Sequence, residues 1–460
     1  MQQYRIETDS LGEIKVPKNK LWGAQTQRSL EHFAIGSELI PLRVIYALAL
    51  IKKAAAKTNY SLKKLEQKKM DLIVEAADEI LAQKHNEQFP LHVWMTGSGT
   101  QSNMNVNEVI ANLCCLSAKT ELGSKNPVHP NDDVNKSQSS NDTFPSAMLI
   151  ATIFAMKEKL LPAIDILTDE LKKKVKEWKN IVKIGRTHMQ DAVPLTLGQE
   201  FSGYLANIEQ HKINVTSCIH HCSFLPLGGT AVGTGLNAPK NFDKIIVKTL
   251  SELTGIEFFT AKNKFALQGS HDALTLTSAT LKCFATSLYK MGNDIRLLSC
   301  GPRAGLDELI IPANEPGSSI MPGKVNPTQC EALTMVSLQV IANDLAVTMS
   351  NGSGILEMNI YKPIIIYNIL QSIEILSDSI VNFTKFLLAG TKANKEKIEE
   401  YVNRSLMLVT AISPTIGYDE ASKIAHYAYN HNCTLSEANR KLKIISQEEF
   451  ERIIDPLKMI

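Results

Sequence analysis

Lys362-Pro-Ile-Ile-Ile-Tyr-Asn-Ile-Leu-Gln-Ser-Ile-Glu-Ile-Leu-Ser-Asp-Ser-Ile-Val-Asn-Phe-Thr-Lys-Phe-Leu-Leu388 carries Ile366, Ile369, Leu370, Ile373, Leu376 and Ile380 at helical spacing, with further apolar residues on its flanks. A helix that is apolar on more than one face must be surrounded by protein. Long-helix patterns also occupy 143–179, 195–223, 239–254, 272–298 and 325–350, separated by loops rich in Gly and Pro. The 143–179 segment, if continuous, runs for about 55 Å at 1.5 Å per residue. One slender bundle of such helices exposes too much apolar flank, so several chains are expected to pack their bundles together. The fold class is mainly α, with a central bundle of long helices.

Outward from the bundle the pattern changes at both ends. Ile6 to Val16 reads as a small hairpin around Gly12, ended by Pro17, and helices are expected near 39–58 and 64–84. After Ala389-Gly390-Thr391 the chain restarts in short helices broken at Ser413-Pro414 and Gly417, and Asn432-Cys-Thr-Leu-Ser436 offers N-cap chemistry. The expected domains are 1–138, 139–389 and 390–460, in line with the roughly three that length alone suggests.

Composition removes several classes of function. Lys and Arg number 49 against 47 Asp and Glu, a net charge of +2, and 44% of residues are hydrophobic. That balance gives no support for a nucleic-acid binder, and the absence of long polar tracts argues against disorder. The run Val44 to Ile51, fenced by Arg43 and Lys52, falls far short of the roughly 20 residues of a membrane span. The N-terminus has no apolar signal core and carries acids, so a cytoplasmic address is expected.

Eight cysteines are scattered through the chain and read as reduced core thiols. Cys218-Ile-His-His-Cys222 places two thiols on one helix face, but no second ligand pair follows, and no spaced set suits an iron–sulfur centre. The chain is expected to use no metal and no cofactor.

Small polar residues and glycines crowd into four blocks. They are Thr96-Gly-Ser-Gly-Thr-Gln-Ser-Asn-Met-Asn105; His129-Pro-Asn-Asp132 running into Ser137-Gln-Ser-Ser-Asn-Asp142; Gly185-Arg-Thr-His-Met-Gln-Asp191; and Gly317-Ser-Ser-Ile-Met-Pro-Gly-Lys-Val-Asn-Pro327. Each lies at an end of an expected helix, where amide N–H groups and the helix dipole favour an anion. Gly97-Ser-Gly99 is not a dinucleotide loop, because the third Gly and a preceding strand are missing. Gly317 to Lys324 is not a phosphate loop, because the spacing is one too long and Val325 follows the lysine.

The last block resembles the shared loop of the fumarase/aspartase superfamily, and the other three resemble the class II fumarases. The similarity runs from Trp22-Gly-Ala-Gln-Thr-Gln-Arg28 to Thr415-Ile-Gly-Tyr418. Aspartases typically carry Gln at the place of His188 and Ala at that of Gly323, so both positions favour fumarase. The resemblance implies a three-domain fold whose long helices form a multi-helix core in a homotetramer. It also implies reversible hydration of fumarate to (S)-malate, with an ammonia-lyase of the same fold as the alternative.

The chemistry of the residues agrees with that expectation. Removing a proton beside a carboxylate gives an aci-carboxylate, whose charge fixed donors stabilise by roughly 3–4 kcal/mol each. Lys324 and Asn326 are such donors. His188 suits the acid that protonates the departing hydroxide. By resemblance Ser318 is the base and Glu331 polarises His188. A serine hydroxyl must then ionise in a nest of loop N–H groups near Lys324. The resemblance also implies that Ser98, Gly99, Thr100, Ser139, Ser140, Asn141, Thr187, Ser319 and Val325 help to bind substrate. Neutral donors fit here, because several fixed cations would hold ground state and transition state alike. The three groups Ser139–Asn141, Thr187–His188 and Ser318–Asn326 would come from three different subunits.

Blander readings stand beside these. Ser139 to Asp142 precede a long helix and N-capping alone accounts for them equally well. A lone His188 reads as a structural histidine, and the glycines and prolines of 317–327 as a plain turn. His129, Pro130, Asn131 and Asp132 resemble a second, peripheral dicarboxylate site, or equally a turn followed by a cap. Some relatives have a basic residue where Asn126 stands, so anion affinity is expected to be lower here.

Overall fold

The computed structural model describes residues 3–460. The chain opens with an antiparallel hairpin of β1 (Tyr4–Asp9) and β2 (Gly12–Pro17). Helices α1 (Ala24–His32), α2 (Leu42–Ser61), α3 (Gln67–Leu81), α4 (Thr100–Ser117) and α5 (Ser140–Ala155) follow. A π-helical turn at Met156–Leu160 joins α5 to α6 (Leu161–Glu177), so the expected long helix is present but locally unwound. Next come the antiparallel pair β3 (Val182–Thr187) and β4 (Gln190–Thr196), then α7 (Leu197–Cys222). After it lie β5 (Phe224–Leu225), α8 (Phe242–Thr254), β6 (Phe259–Thr260), α9 (Lys264–Gly269), α10 (Asp272–Leu298) and β7 (Leu309–Ile310). The long helices α11 (Thr328–Gly352) and α12 (Lys362–Phe386) precede β8 (Lys392–Ala393). The tail consists of α13 (Lys395–Arg404), α14 (Ser413–Ile416), α15 (Tyr418–Asn430), α16 (Leu435–Leu442) and α17 (Gln447–Ile453).

The chain divides into two compact units. The first holds Met1–Pro162, Ile213–Ala285 and Leu338–Leu376; the second holds Ala163–Lys212, Thr286–Ser337 and Ser377–Ile460. In the first, α2 packs against α3, α5 and α8. Its Ala- and Leu-rich sequence favours helix and lets neighbours approach closely, and Val44, Leu48 and Ile51 are fully buried. The six apolar residues that announce α12 are all buried, as the helical stripe requires. In the second unit, Ile184 of β3 joins Val402, Leu408, Ile412, Ile424 and Phe450 of the tail in one apolar cluster. Thr434 caps α16 through a reciprocal capping box with Glu437, as the tail sequence suggests.

Three features differ from the sequence reading. The β3–β4 hairpin is absent from it, although its turn holds one of the four polar blocks. Cys283 lies at the surface, and Cys300 and Cys433 are half-buried, so the thiols are not uniformly core residues. Cys218 and Cys222 are buried on α7 and face hydroxyls, Thr280 Oγ1 and Thr277 Oγ1 respectively. By length and mean hydropathy α11 and the run Lys362–Gly390 are also apolar enough to cross a membrane. The exposed side of α11 carries Met335, Leu338, Leu345 and Met349.

Candidate active site

In the first unit two helix N-termini carry the candidate donors. Gly99 caps α4, and Ser98 Oγ lies 2.8 Å from Thr100 Oγ1, so the two hydroxyls form one polar turn. Ser139 caps α5 in a capping box: its Oγ accepts from Asn141 N–H at 3.2 Å, and its own N–H donates to Asp142 Oδ1 at 2.9 Å. Ser140 is buried, its Oγ accepting from Asn103 Nδ2 at 3.0 Å, and Asn141 Nδ2 donates to the carbonyl of Ala231 at 2.8 Å. The capping role is therefore real. It also orients three candidate donors at a helix end where the dipole favours an anion.

Asp142 fastens this cap to the glycine-rich loop beside it, its Oδ2 accepting from the N–H groups of Gly228 (2.9 Å) and Thr230 (3.0 Å). Burial pushes its carboxyl up to about 6, against the lowering by those bonds and by the Lys52 charge. Lys52 is fully buried on α2 and donates to Asn135 Oδ1 and Gln138 Oε1, both at 3.0 Å. Burial brings its ammonium down to about 7, opposed by Asp142. The sequence marks Asp142 only as a capping residue of a polar block and Lys52 only as the end of an apolar run; their burial and their partners distant along the chain come from the fold.

In the second unit Thr187 ends β3, pairing with Gln190, and His188 and Met189 form a two-residue turn. Both have positive φ, 55° and 63°, as a type I′ hairpin turn demands. Thr187 and His188 are exposed at the hairpin tip. Its base is held by charge: Glu308, fully buried, pairs with Lys183 (3.0 Å) and Arg186 (2.8 Å), and Lys183 also meets Glu200 (2.5 Å).

The Gly317–Asn326 turn is closed on itself. A Cβ on Gly317 would lie 1.9 Å from the carbonyl oxygen of Lys324, so only glycine fits there. Asn326 Nδ2 donates to the Gly317 carbonyl, closing the turn. Ser318 Oγ accepts from two backbone N–H groups, Ile320 (3.2 Å) and Met321 (3.1 Å). Lys324 and Val325 are exposed on the same turn, as is Ser319. Glu331 lies in the first turn of α11, four residues beyond Pro327, whose carbonyl accepts its N–H.

The turn thus brings Ser318, Ser319, Lys324, Val325 and Asn326 together. No hydrogen bond or ion pair among the described residues joins His188, Ser318 and Glu331 to one another. His129 caps a π-helical turn, its Nδ1 accepting from the N–H groups of Asn131 and Asp132 at 3.2 Å each. With Pro130 and Asn131 it borders a cleft of about 340 Å³ that Glu7, Asp9, Glu108 and Lys125 also line.

Comparison with known proteins gives this geometry a context. A lyase family pattern matches residues 12–342, and one for the fumarase C C-terminus matches residues 408–460. The chain is 52% identical over 459 residues to the fumarate hydratase class II of Prochlorococcus marinus, covering 100% of both. It is 53% identical to that of Bacillus cereus, covering 100% of this chain and 99% of the relative. The crystal structure of recombinant class II fumarase from Schistosoma mansoni superposes with a TM-score of 0.97 at 44% identity, over 99% of each chain.

Proposed function

The chain belongs to the class II fumarate hydratases, hydro-lyases that interconvert fumarate and malate, and from that premise we propose which residues carry the reaction. Ser318 takes the proton from C3 of malate as an alkoxide. The C–H electrons move into the adjacent carboxylate, and the resulting aci-carboxylate is held by Lys324 and Asn326. His188, polarised by Glu331, then delivers a proton to the C2 hydroxyl. The C–O bond breaks, water departs and fumarate remains. Ser98, Gly99, Thr100, Ser139, Ser140, Asn141, Thr187, Ser319 and Val325 hold the substrate carboxylates through neutral donors.

The observation that carries this reading is the pair of N–H groups on Ser318 Oγ. Two donors stabilise an alkoxide more than a hydroxyl, and Lys324 on the same turn adds a charge of the right sign. The experiment is Ser318→Ala with malate, following fumarate absorbance. Turnover falls by at least about 10², and near-parental turnover would remove Ser318 as the base.

The same reading makes the working form a homotetramer whose sites combine Ser139–Asn141, Thr187–His188 and Ser318–Asn326 from three subunits. The apolar exposed side of α11 supports it, since a lone chain would leave that side in water. It includes the three domains 1–138, 139–389 and 390–460, a cytoplasmic location and no metal or cofactor. We read His129, Pro130, Asn131 and Asp132 as a peripheral dicarboxylate site of low affinity, because Asn126 stands where some relatives carry a basic residue and Lys125 is, among the described residues, the one lysine on its cleft.

A further inference from the structure

Lys362 begins α12, and its side chain is fully buried. The ammonium reaches the carbonyl oxygen of Ser98 at 3.5 Å, and no ion pair of Lys362 occurs among the described residues. Its backbone N–H donates to the Gly97 carbonyl at 3.1 Å. The two segments touch so closely that a Cβ on Gly97 would lie 1.3 Å from the Ile360 carbonyl oxygen. The nearby titratable group is His271, buried, with its Nε2 unpartnered. Burial, then the Lys362 charge, brings that imidazole down to about 3, opposed by the neighbouring Asp272 carboxylate, so it is neutral and adds no second positive charge. Lys362 itself, lowered by burial to about 8, is mostly charged at neutral pH.

A buried ammonium without a counter-ion is strongly unfavourable, and folds avoid it unless a partner arrives. The segment it touches is the turn of Ser98, Gly99 and Thr100 at the N-terminus of α4, whose dipole has the same sign. We propose that Lys362 is a positioning residue whose missing counter-charge is a carboxylate of the bound dianion, held at the turn that Lys362 supports through the Ser98 carbonyl. The inference rests on the reading of that turn as part of the active site. A charge behind the turn, remote from the reacting carbon, holds substrate and transition state alike. Its loss therefore raises KM and leaves kcat nearly unchanged.

The test uses Lys362→Met in the full chain, with malate and fumarate kinetics, inhibition by the unreactive dicarboxylate succinate, and thermal melting. KM and the succinate inhibition constant rise about tenfold, equivalent to about 1.4 kcal/mol, and Lys362→Arg restores part of the affinity. The melting temperature stays level or rises, because the variant no longer buries an unpaired charge. Unchanged KM and inhibition constant, or a melting temperature that falls in step with activity, would overturn the proposal. If Lys362→Met does not fold, Lys362→Gln carries the same expectations, and failure of both to fold assigns Lys362 a purely structural role. Thr100→Ala separates the inference from its premise. Unaltered KM in that variant removes the turn from the active site, whereas an altered KM there with unaltered Lys362 variants removes only the role of Lys362.

Discussion

At His188 φ is 55° and at Met189 it is 63°, so both turn residues sit in the left-handed region, at a cost of about 1–2 kcal/mol for an L-residue. Strain of this kind persists where a side chain must be aimed. Asn tolerates the region better than His, so His188→Asn keeps the turn while removing the imidazole. Turnover of malate is expected to fall by about 10²–10⁴ with an unchanged melting curve. A loss of activity that tracks a loss of structure would assign His188 to the turn alone. Lys52 makes a different case at the same scale. Its pKa falls from 10.5 to about 7 on folding, chiefly through burial. Between those values the unfolded chain holds a proton that the folded chain lacks, so this group favours folding increasingly as pH rises through the window. The cost of its burial is therefore fully present below pH 7. Lys52→Met should be most stable relative to the parent near pH 7 and lose that advantage toward pH 10.5, read as urea midpoints at both ends. A pH-independent difference would show that Lys52 folds with its ordinary affinity for a proton.

The β3–β4 hairpin carries His188, and Glu308 at its base is a single carboxylate shared by Lys183 and Arg186. Glu308→Gln leaves two cations, one of them almost fully buried, without that charge. Breaking a buried pair in this way costs about 3–5 kcal/mol. The expected result is a lower denaturation midpoint with faster amide exchange across 182–196, and malate turnover lost with it. This element is also where reading from sequence fails. Lys183 points inward, so the strand does not alternate apolar and polar residues. Its partner Glu308 is remote in sequence, and His188-Met189 lacks the Asn-Gly signature of a I′ turn. The helices α10 and α12 were legible because their apolar period is local, and the polar blocks because glycine and hydroxyl residues cluster visibly. Charges such as Lys52 and Lys362 were not, since what distinguishes them is burial, which comes from contacts made across the chain.

The fully folded chain still leaves Met335 (65%), Leu338 (53%), Leu345 (64%) and Met349 (64%) exposed along α11. With Glu331 and Ala342 these residues follow one another at alternating steps of four and three, the seam of a helix that packs against other helices. Such a seam is too apolar for a solvated face, yet it starts at Glu331, one turn into the helix that follows the Ser318 turn. A contact that buries the seam would thus set the Ser318 turn beside another chain, which ties assembly to catalysis. Replacing Leu338 and Leu345 together by Asp puts two charges into that contact and should give a dissociated, helical protein by sedimentation and circular dichroism. Malate turnover should vanish with assembly. A monodisperse monomer with parental turnover would mean that one chain completes the site, and the three-subunit reading would fall.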